Sequence, residues 1–257
     1  MLRSMNDLED YAIHATDGEI GRVKDFYFDD QTWMIRYVVV DTGSWLSSRK
    51  VLISPIVMGP PNRRERILPV SITQAKVQGS PEFDSAQPVL RRQEIQYLGY
   101  YGFPFYWGGF VTSPSILGLD IDNALVTEAA PVREEESHLH SCNTVAGYHI
   151  EAIDGDIGHV TDFLVDEETW AIRYLIVDTS NWWLGHQVLI APEWIEEVRW
   201  ADTTVAIKLT RQTVKDAPHY DPEVPLDSEH EVGIHDHYKR PGYWVGKEKP
   251  EEIVSSD

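Results

Sequence analysis

Cysteine is nearly absent from this chain of 257 residues, since Cys142 is the only one. A single cysteine forms no disulfide within the chain, a composition typical of the reducing cytoplasm rather than of small secreted domains. The apolar core of a signal peptide is also missing, and no run approaches the roughly 18 consecutive apolar residues of a membrane span. The sequence therefore predicts a cytoplasmic protein without a transmembrane segment.

Basic residues are scarce as well. Lys and Arg number 22 against 42 Asp and Glu, which gives a formal net charge of -20 at pH 7. A protein that binds nucleic acid needs clustered basic residues to neutralise phosphates, so this composition argues against nucleic acid as a partner. An acidic surface that keeps the protein in solution is the simplest interpretation, while basic protein surfaces and cations stay open.

The sequence also lacks the common catalytic motifs. It contains no phosphate-binding Gly-Lys-Ser/Thr loop, no Gly-x-Ser-x-Gly turn and no Cys-x-x-Cys pair. General acid and base catalysis needs side chains that converge on a pocket, and no spacing in the sequence indicates such convergence. We therefore predict a non-enzymatic protein without a cofactor.

What is present is an internal duplication. The residues from Leu2 to Trp107 recur, with every number raised by 137 and without a gap, from Leu139 to Trp244. One copy reads Gly18-Glu-Ile-Gly-Arg-Val-Lys-Asp-Phe, and the other reads Gly155-Asp-Ile-Gly-His-Val-Thr-Asp-Phe. Each repeat is long enough to bury a core of its own, so the sequence predicts two domains.

Each repeat has the pattern of short β-strands. The segments from Gly21 to Asp29 and from Trp33 to Asp41 are rich in Val, Ile, Tyr and Phe, and three turn-forming residues separate them. Asp17-Gly18 predicts a hairpin turn, because glycine adopts the positive φ that such turns require. Several short strands at hairpin spacing predict a small closed barrel in each repeat.

These residues resemble a known family. The Asp-Gly-x-x-Gly-x-Val-x-Asp-Phe segment, the Trp-x-Ile-Arg-Tyr strand and the Val-Leu-Ile-x-Pro strand resemble the PRC-barrel, a small β-barrel named for the cytoplasmic domain of the photosynthetic reaction centre H subunit. A related barrel forms part of a ribosome maturation factor. The resemblance covers residues 2–78 and 139–215 and implies a mainly β protein of two tandem PRC-like barrels, each followed by a helical segment. The N-terminal membrane helix of the H subunit has no counterpart here.

The repeat predicts six segments along the chain. They are a first barrel over residues 1–80, a helical and aromatic extension over 81–107, a linker over 108–137, a second barrel over 138–217, a second extension over 218–244 and a polar tail over 245–257. The linker is rich in Gly, Ser, Thr and Pro and ends in three consecutive glutamates.

Two groups of candidate site residues follow from the duplication. Tyr and Trp are frequent interface anchors, and although most Trp residues are interpreted as core or inter-barrel contacts, the aromatic residues of two loops and two repeat ends are candidates for an interaction surface. They are Trp45, Trp182, Trp183, Tyr106, Trp107, Tyr243 and Trp244. The other group is two structural ion pairs across neighbouring strands, Asp25 with Arg36 and Asp162 with Arg173.

Three histidines near the end of the second repeat are the remaining candidates for chemistry. His230, His235 and His237 only partly fit the spacing that aligns metal ligands on a helix. Their equivalents in the first repeat are Gln93, Leu98 and Tyr100, so a metal site would not be shared. We predict no metal site, although the sequence leaves open whether this segment binds a metal.

The functional prediction is an interaction or scaffold module that docks another protein through the aromatic residues. A first alternative, implied by the H-subunit resemblance, is an accessory of photosynthetic electron transfer that associates peripherally with a membrane complex from its cytoplasmic side. A second alternative is an enzyme that uses a metal or small molecule in the crevice between the barrels. The partner and self-association are left open by the sequence, and the functional choice rests on analogy at the level of the fold.

Overall fold

The computed structural model of the protein describes residues 1–46, 48–85, 87–107, 137–179 and 186–245. The predicted linker and polar tail lie almost wholly outside these ranges. The chain divides into two compact units, the first formed by Met1–Tyr148 with Thr161–Leu175 and the second by His149–Val160 with Ile176–Asp257. The division does not follow the repeats, because a stretch of the second repeat belongs to the first unit.

The first repeat supplies most of the first unit. Its elements are β1 (Leu2–Ser4), α1 (Met5–Leu8), β2 (Ala12–Ala15), β3 (Gly18–Asp29), β4 (Met34–Asp41), β5 (Lys50–Ile53), β6 (Ile67–Pro69), α2 (Gln74–Gln78) and α3 (Arg91–Tyr101), with 3₁₀ turns at Gly43–Leu46 and Pro55–Val57. The strands are hydrogen-bonded in the order β5-β4-β3-β2-β6. The predicted hairpin turn is confirmed, since Ala15 pairs with Gly18 and Gly18 has a φ of 154°.

The second repeat has the same arrangement with one added strand. Its elements are β7 (Leu139–Ser141), α4 (Cys142–Val145), β8 (His149–Ala152), β9 (Gly155–Asp166), β10 (Ile172–Asp178), β11 (Gln187–Ile190), β12 (Ile195–Arg199), β13 (Thr204–Ile207), α5 (Arg211–Lys215) and α6 (Ser228–Tyr238), with 3₁₀ turns at Pro192–Trp194 and Trp200–Asp202. The strand order is β11-β10-β9-β8-β13-β12. The mainly β, duplicated fold with a helix after each sheet is therefore confirmed, although neither sheet closes by hydrogen bonding within the described residues.

The first strand of each repeat pairs with the long strand of the other repeat. Strand β1 pairs antiparallel with β9, where Leu2 lies opposite Asp166, and β7 pairs antiparallel with β3, where Leu139 lies opposite Asp29. All the paired residues belong to the first unit. This reciprocal exchange explains why residues 161–175 join the first unit and why the predicted boundary at residue 138 does not separate the compact units.

A second reciprocal contact lies beside the exchanged strands. The backbone N–H of Ile35 donates to the carbonyl of Trp170, and the N–H of Ile172 donates to the carbonyl of Trp33, both at 2.8 Å. The two Trp residues occupy the same turn in each repeat and have φ angles of 55° and 59°, in the left-handed region that bulky residues rarely adopt. Apolar side chains from both repeats pack beside these turns, where the ring centroids of Phe28 and Phe163 lie 6.0 Å apart.

The core of each unit is formed by inward-facing strand residues. The largest fully buried side chains of the first unit include Leu8, Ile13, Ile20, Phe26, Phe28, Tyr37, Ile53, Leu68, Phe163 and Tyr174. Fully buried side chains of the second unit include Ile150, Ile157, Val160, Val177, Ile190 and Val205. Among the described residues, no helix has both the length and the apolar character that crossing a bilayer requires.

The predicted ion pairs are wrong. Asp25 accepts hydrogen bonds from the hydroxyl of Ser141 at 2.6 Å and from the N–H of Asn143 at 3.2 Å, whereas the guanidinium of Arg36 lies over the ring of Tyr106. Irregularities in the β3–β4 register place Asp25 opposite Val39 rather than beside Arg36.

The second repeat differs from its predicted pairing in the same way. Asp162 accepts from the hydroxyl of Ser4 and from the N–H of Asn6, while Arg173 forms an ion pair with Asp166 at 3.1 Å. The two aspartates therefore hold the exchanged segments, and each contact of one has its counterpart at the other. Burial raises the pKa of Asp162 to about 6 and also raises the pKa of Asp25.

Two glycines at equivalent positions test the packing of the long strands. A Cβ at Gly21 would lie 2.0 Å from the carbonyl oxygen of Asp41, and a Cβ at Gly158 would lie 1.9 Å from that of Asp178. We expect Gly21→Ala and Gly158→Ala each to lower the free energy of unfolding by about 3 kcal/mol, because the clashing atom is backbone. Urea denaturation measures this.

The matched control is Gly99→Ala in helix α3, where no atom lies within 4 Å of the added Cβ. It should raise the free energy of unfolding by about 0.5–1 kcal/mol through helix propensity. Equal effects of the strand and helix substitutions would contradict the packing.

Asp162 predicts a pH dependence of stability. Its pKa of about 6 in the folded protein lies above the value of about 3.9 of an unfolded Asp. The folded state therefore retains a proton that the unfolded state has lost, and stability falls as the pH rises through this window. Relative to Asp162→Asn, the free energy of unfolding of the natural protein should decrease by about 2 kcal/mol between pH 4 and 6.5. A difference that is constant with pH, in denaturation curves of both proteins, would refute this role of Asp162.

Candidate functional site

The helix of the first extension places an acidic side chain in the interior of the first unit. Helix α3 begins after Leu90, whose N–H donates to the side chain of Gln93 at 2.9 Å, and ends at Gly102 with a φ of 74°. This frame turns Arg91 and Glu94 towards the sheet, where they are 6% and 1% exposed. A buried charged pair on an extension of the barrel is the feature from which the site is built.

Glu94 is surrounded by hydrogen-bond donors. Its Oε1 accepts from the hydroxyls of Tyr106 at 2.7 Å and Tyr37 at 3.2 Å, and its Oε2 accepts from Nη1 of Arg91 at 2.9 Å. The same Arg91 nitrogen donates to the hydroxyl of Tyr106 at 2.9 Å. Burial raises the pKa of Glu94, and it raises the pKa of both tyrosines, which also lie beside the Glu94 carboxylate. The cluster ties helix α3, strand β4 and the aromatic end of the repeat together.

The predicted aromatic end of the first repeat packs onto this cluster. The guanidinium of Arg36 lies 3.8 Å from the centroid of the Tyr106 ring, and that of Arg91 lies 4.0 Å from the centroid of Trp107. Stacking of this kind stabilises partly buried arginines. Tyr106 and Trp107 are therefore half-buried parts of the first unit, and only part of each ring faces solvent.

The second extension repeats the central bond in the second unit. The hydroxyl of Tyr243 donates to Oε1 of Glu231 at 2.9 Å, as Tyr106 does to Glu94. Trp244 lies beside the ring of His235, with centroids 4.9 Å apart. Tyr243 and Trp244 are likewise half-buried. The duplicated Glu and Tyr positions thus form the same hydrogen bond in both repeats. The match of these positions at the constant offset was the feature of the sequence from which this bond could have been predicted.

A cavity of about 220 Å³ lies beside Glu94 in the first unit. The sheet and helix α3 contribute Tyr37, Leu52, Glu94 and Tyr97 to its walls, and the preceding loop contributes Phe83 and Val89. Polar side chains complete the lining, namely Glu82, Asp84, Gln87, Gln93 and Gln96. Glu94 already accepts hydrogen bonds from three donors. The arrangement favours a structural acid over a catalytic one, since general acid or base catalysis needs a group that can exchange its proton with a substrate.

A shallower groove of about 340 Å³ is lined by Tyr106 and shares Tyr37 with the cavity. Its walls include Ile56, Phe103, Pro104 and Tyr106 together with the buried Trp170, all of which belong to the first unit. Ile56 is 57% exposed, one of few large apolar side chains with so much surface in water among the described residues. The groove unites one predicted interface residue with apolar neighbours that the sequence pattern did not indicate.

Trp182 and Trp183, together with the side chain of Trp45, lie outside the described residues. The backbone of Trp45 forms part of the 3₁₀ turn Gly43–Leu46.

The three histidines of the second extension point to different partners. A ring nitrogen of His230 contacts Asp227, one of His235 contacts the carbonyl of Pro241, and one of His237 contacts the carbonyl of Thr213. Within the described part of the chain, no group of three His, Cys, Asp or Glu side chains is arranged to hold a metal. Cys142 is buried, and its burial raises the pKa of the thiol.

Comparison with known proteins bears on the first repeat. The family model described as PRC-barrel domain matches residues 3–74, from strand β1 to the start of α2. No curated protein matches the chain significantly. The matched segment ends before helix α3, so Arg91, Glu94 and Tyr106 of the cluster and half of the residues that line the groove lie outside it.

The tyrosine–glutamate bonds predict paired stability effects. We expect Tyr106→Phe and Tyr243→Phe each to lower the free energy of unfolding by about 1–3 kcal/mol, because each removes a donor to a buried carboxylate. The control is Tyr100→Phe. The hydroxyl of Tyr100 donates to the exposed carbonyl of Lys76, and its removal should lower the free energy of unfolding by about 0.5 kcal/mol. Thermal and urea unfolding would measure all three, and a loss at Tyr106 no larger than at Tyr100 would contradict the assigned role of Glu94.

Proposed function

Residues 3–74 are a PRC-barrel domain, and from this premise we propose that the protein is a non-enzymatic, cytoplasmic interaction module whose first unit docks another protein. The docking surface is the groove formed by Ile56, Phe103, Pro104 and Tyr106. The exposure of Ile56 at the edge of this groove is the observation that carries the proposal.

The chemistry of the groove supports an apolar anchor in the partner. Ile56 exposes more than half of its surface to water, and the rings of Phe103 and Tyr106 lie beside it in the groove wall. A partner side chain that covered Ile56 would remove apolar surface from water at about 25 cal/mol per Å². The aromatic wall is held in place by the Glu94 cluster, so little ordering is required when a partner binds.

Charge supports a basic partner. The formal net charge of the chain is -20, and Glu168 adds an exposed carboxylate to the rim of the groove. The one cation in the wall, Arg36, is stacked on Tyr106. A strongly acidic protein accelerates its encounter with basic surfaces and repels acidic ones. The proposed occupant is therefore a protein segment that presents an aliphatic or aromatic side chain flanked by Lys or Arg.

The test compares capture by two matched variants of the full chain. Ile56→Arg removes the apolar edge and repels a basic segment, whereas Val224→Arg makes the same change at an exposed valine of the second unit, which is 49% exposed. We expect natural protein and Val224→Arg to retain one partner from a cell extract that Ile56→Arg loses. Retention should weaken as salt is raised, because exposed charges are screened.

The same experiment discriminates the alternatives when the extract is divided into soluble and membrane fractions. If subunits of a membrane complex were recovered with the natural protein but not with Ile56→Arg, the docking protein would be an accessory of that complex. If the natural protein and both variants captured the same set of proteins, or if Ile56→Arg retained the partner as well as the natural protein does, the groove would not be the docking surface. Circular dichroism of each variant controls for folding.

A further inference from the structure

A groove of about 440 Å³ in the second unit differs from the rest of this acidic protein by its charge. Helix α6 ends at one wall, where it contributes His237 and Tyr238 and is followed by Lys239 and Arg240. The segment after strand β13 forms the opposite wall and contributes Lys208, while Ile153 of the preceding hairpin lies at the edge. The backbone fixes these parts together, since the N–H of Ile153 donates to the carbonyl of Leu209 at 3.0 Å.

Three cations of this groove have no acidic partner. In the described part of the chain, Lys208, Lys239 and Arg240 form no ion pair, and all three are exposed. The chain holds only 22 Lys and Arg against 42 Asp and Glu, so three unpaired cations around one groove depart from its overall composition.

The end of helix α6 explains part of this charge. Basic residues favour helix C-termini, where they interact with the helix dipole and the last free carbonyls. That reason covers Lys239 and Arg240. It does not cover Lys208, which follows a strand.

The first repeat shows that the fold does not need these cations. Its residues equivalent to Lys208, Lys239 and Arg240 are Ser71, Gly102 and Phe103. There the ring of Phe103 stacks on Tyr101 with centroids 5.3 Å apart. The equivalent region of the first unit is therefore mainly aromatic. It holds one cation, Lys76 at the position of Thr213, whose Nζ lies 4.7 Å from the centroid of Tyr100, whereas the groove of the second unit holds three.

We propose that the groove binds the phosphate ester of a small hydroxylated molecule. Arginine and lysine are the side chains that hold phosphate oxygens, by paired N–H donors and by point charge respectively. Asp216 also lines the groove and would repel a bare anion, but its carboxylate can accept hydrogen bonds from hydroxyl groups of the ligand. The site thus prefers a molecule with phosphate at one end and hydroxyls at the other.

Isothermal titration of the full chain tests this with ribose 5-phosphate, inorganic phosphate and ribose as probes. We expect ribose 5-phosphate to bind most tightly, phosphate more weakly, and ribose not measurably. The double variant Lys208→Ser with Lys239→Gly introduces the residues of the first repeat. It should weaken the binding of ribose 5-phosphate by about tenfold or more. The glycine also suits the φ of 54° at position 239, so the variant should fold.

Two controls make the result specific. Arg64→Ser combined with Arg92→Ser changes the net charge equally at exposed sites of the first unit and should leave the affinity within about twofold. Asp216→Asn should strengthen the binding of inorganic phosphate and reduce the preference for ribose 5-phosphate over phosphate. Absence of binding by both phosphates at millimolar concentration would overturn the proposal, as would equal losses in the two double variants.

Discussion

The hydrogen bonds from Ser4 to Asp162 and from Ser141 to Asp25 fix the position of each exchanged strand. Each aspartate also accepts a backbone N–H two residues after the serine, so the turn of helix that follows the strand is held as well. Burial disfavours the ionised form of these carboxylates, and the donors offset part of that cost. The sheet that packs beneath the aromatic residues of the first unit depends on this arrangement, since strands β3 and β9 each receive a neighbour through it.

The helical extensions build on those sheets by a second buried polar contact. In each helix one glutamate accepts a hydrogen bond from the hydroxyl of a tyrosine twelve residues later, so the chain folds back after the helix ends. In the first unit Arg91 and Tyr37 add two more donors to the glutamate. The tyrosine–glutamate bond is shared by the two repeats. The contacts that Arg91 makes belong to the first repeat alone, because the equivalent position in the second repeat is Ser228.

Local features of the sequence predicted local features of the fold. The Asp-Gly pairs gave the hairpin turns, the β-branched runs gave the long strands, and the constant offset gave two sheets of matching order. The exchange of first strands was not predictable in this way, because three residues such as Leu2–Ser4 carry no pattern that selects one long strand over its duplicate. The ion pairs failed for a related reason, since bulges in the β3–β4 register moved Asp25 away from Arg36.

The candidate sites show the same limit. Glu94 and Glu231 were visible as matching positions, but their burial depends on which face of the helix meets the sheet, and the weakly amphipathic helix pattern does not reveal it. The unpaired cations of the second unit come from a strand end and a helix end that are about 30 residues apart in sequence, so only the folded chain brings Lys208 and Lys239 to one groove. Aromatic content alone did not reveal how each ring is used, because Arg36 stacks on Tyr106 and Arg91 on Trp107, while Tyr106 also lines the groove of the first unit.

Strand exchange also has a consequence for biosynthesis. Ser4 bonds to a residue 158 positions later in the chain, so β1 cannot reach its final place until much of the second repeat has left the ribosome. Contacts of such long sequence separation close large loops and slow the search for the native state. During translation the edge of β3 that later receives β7 is without its partner, and an unpaired strand edge of this kind is where a nascent chain associates wrongly with others. The duplication therefore ties completion of the first unit to synthesis of the second repeat.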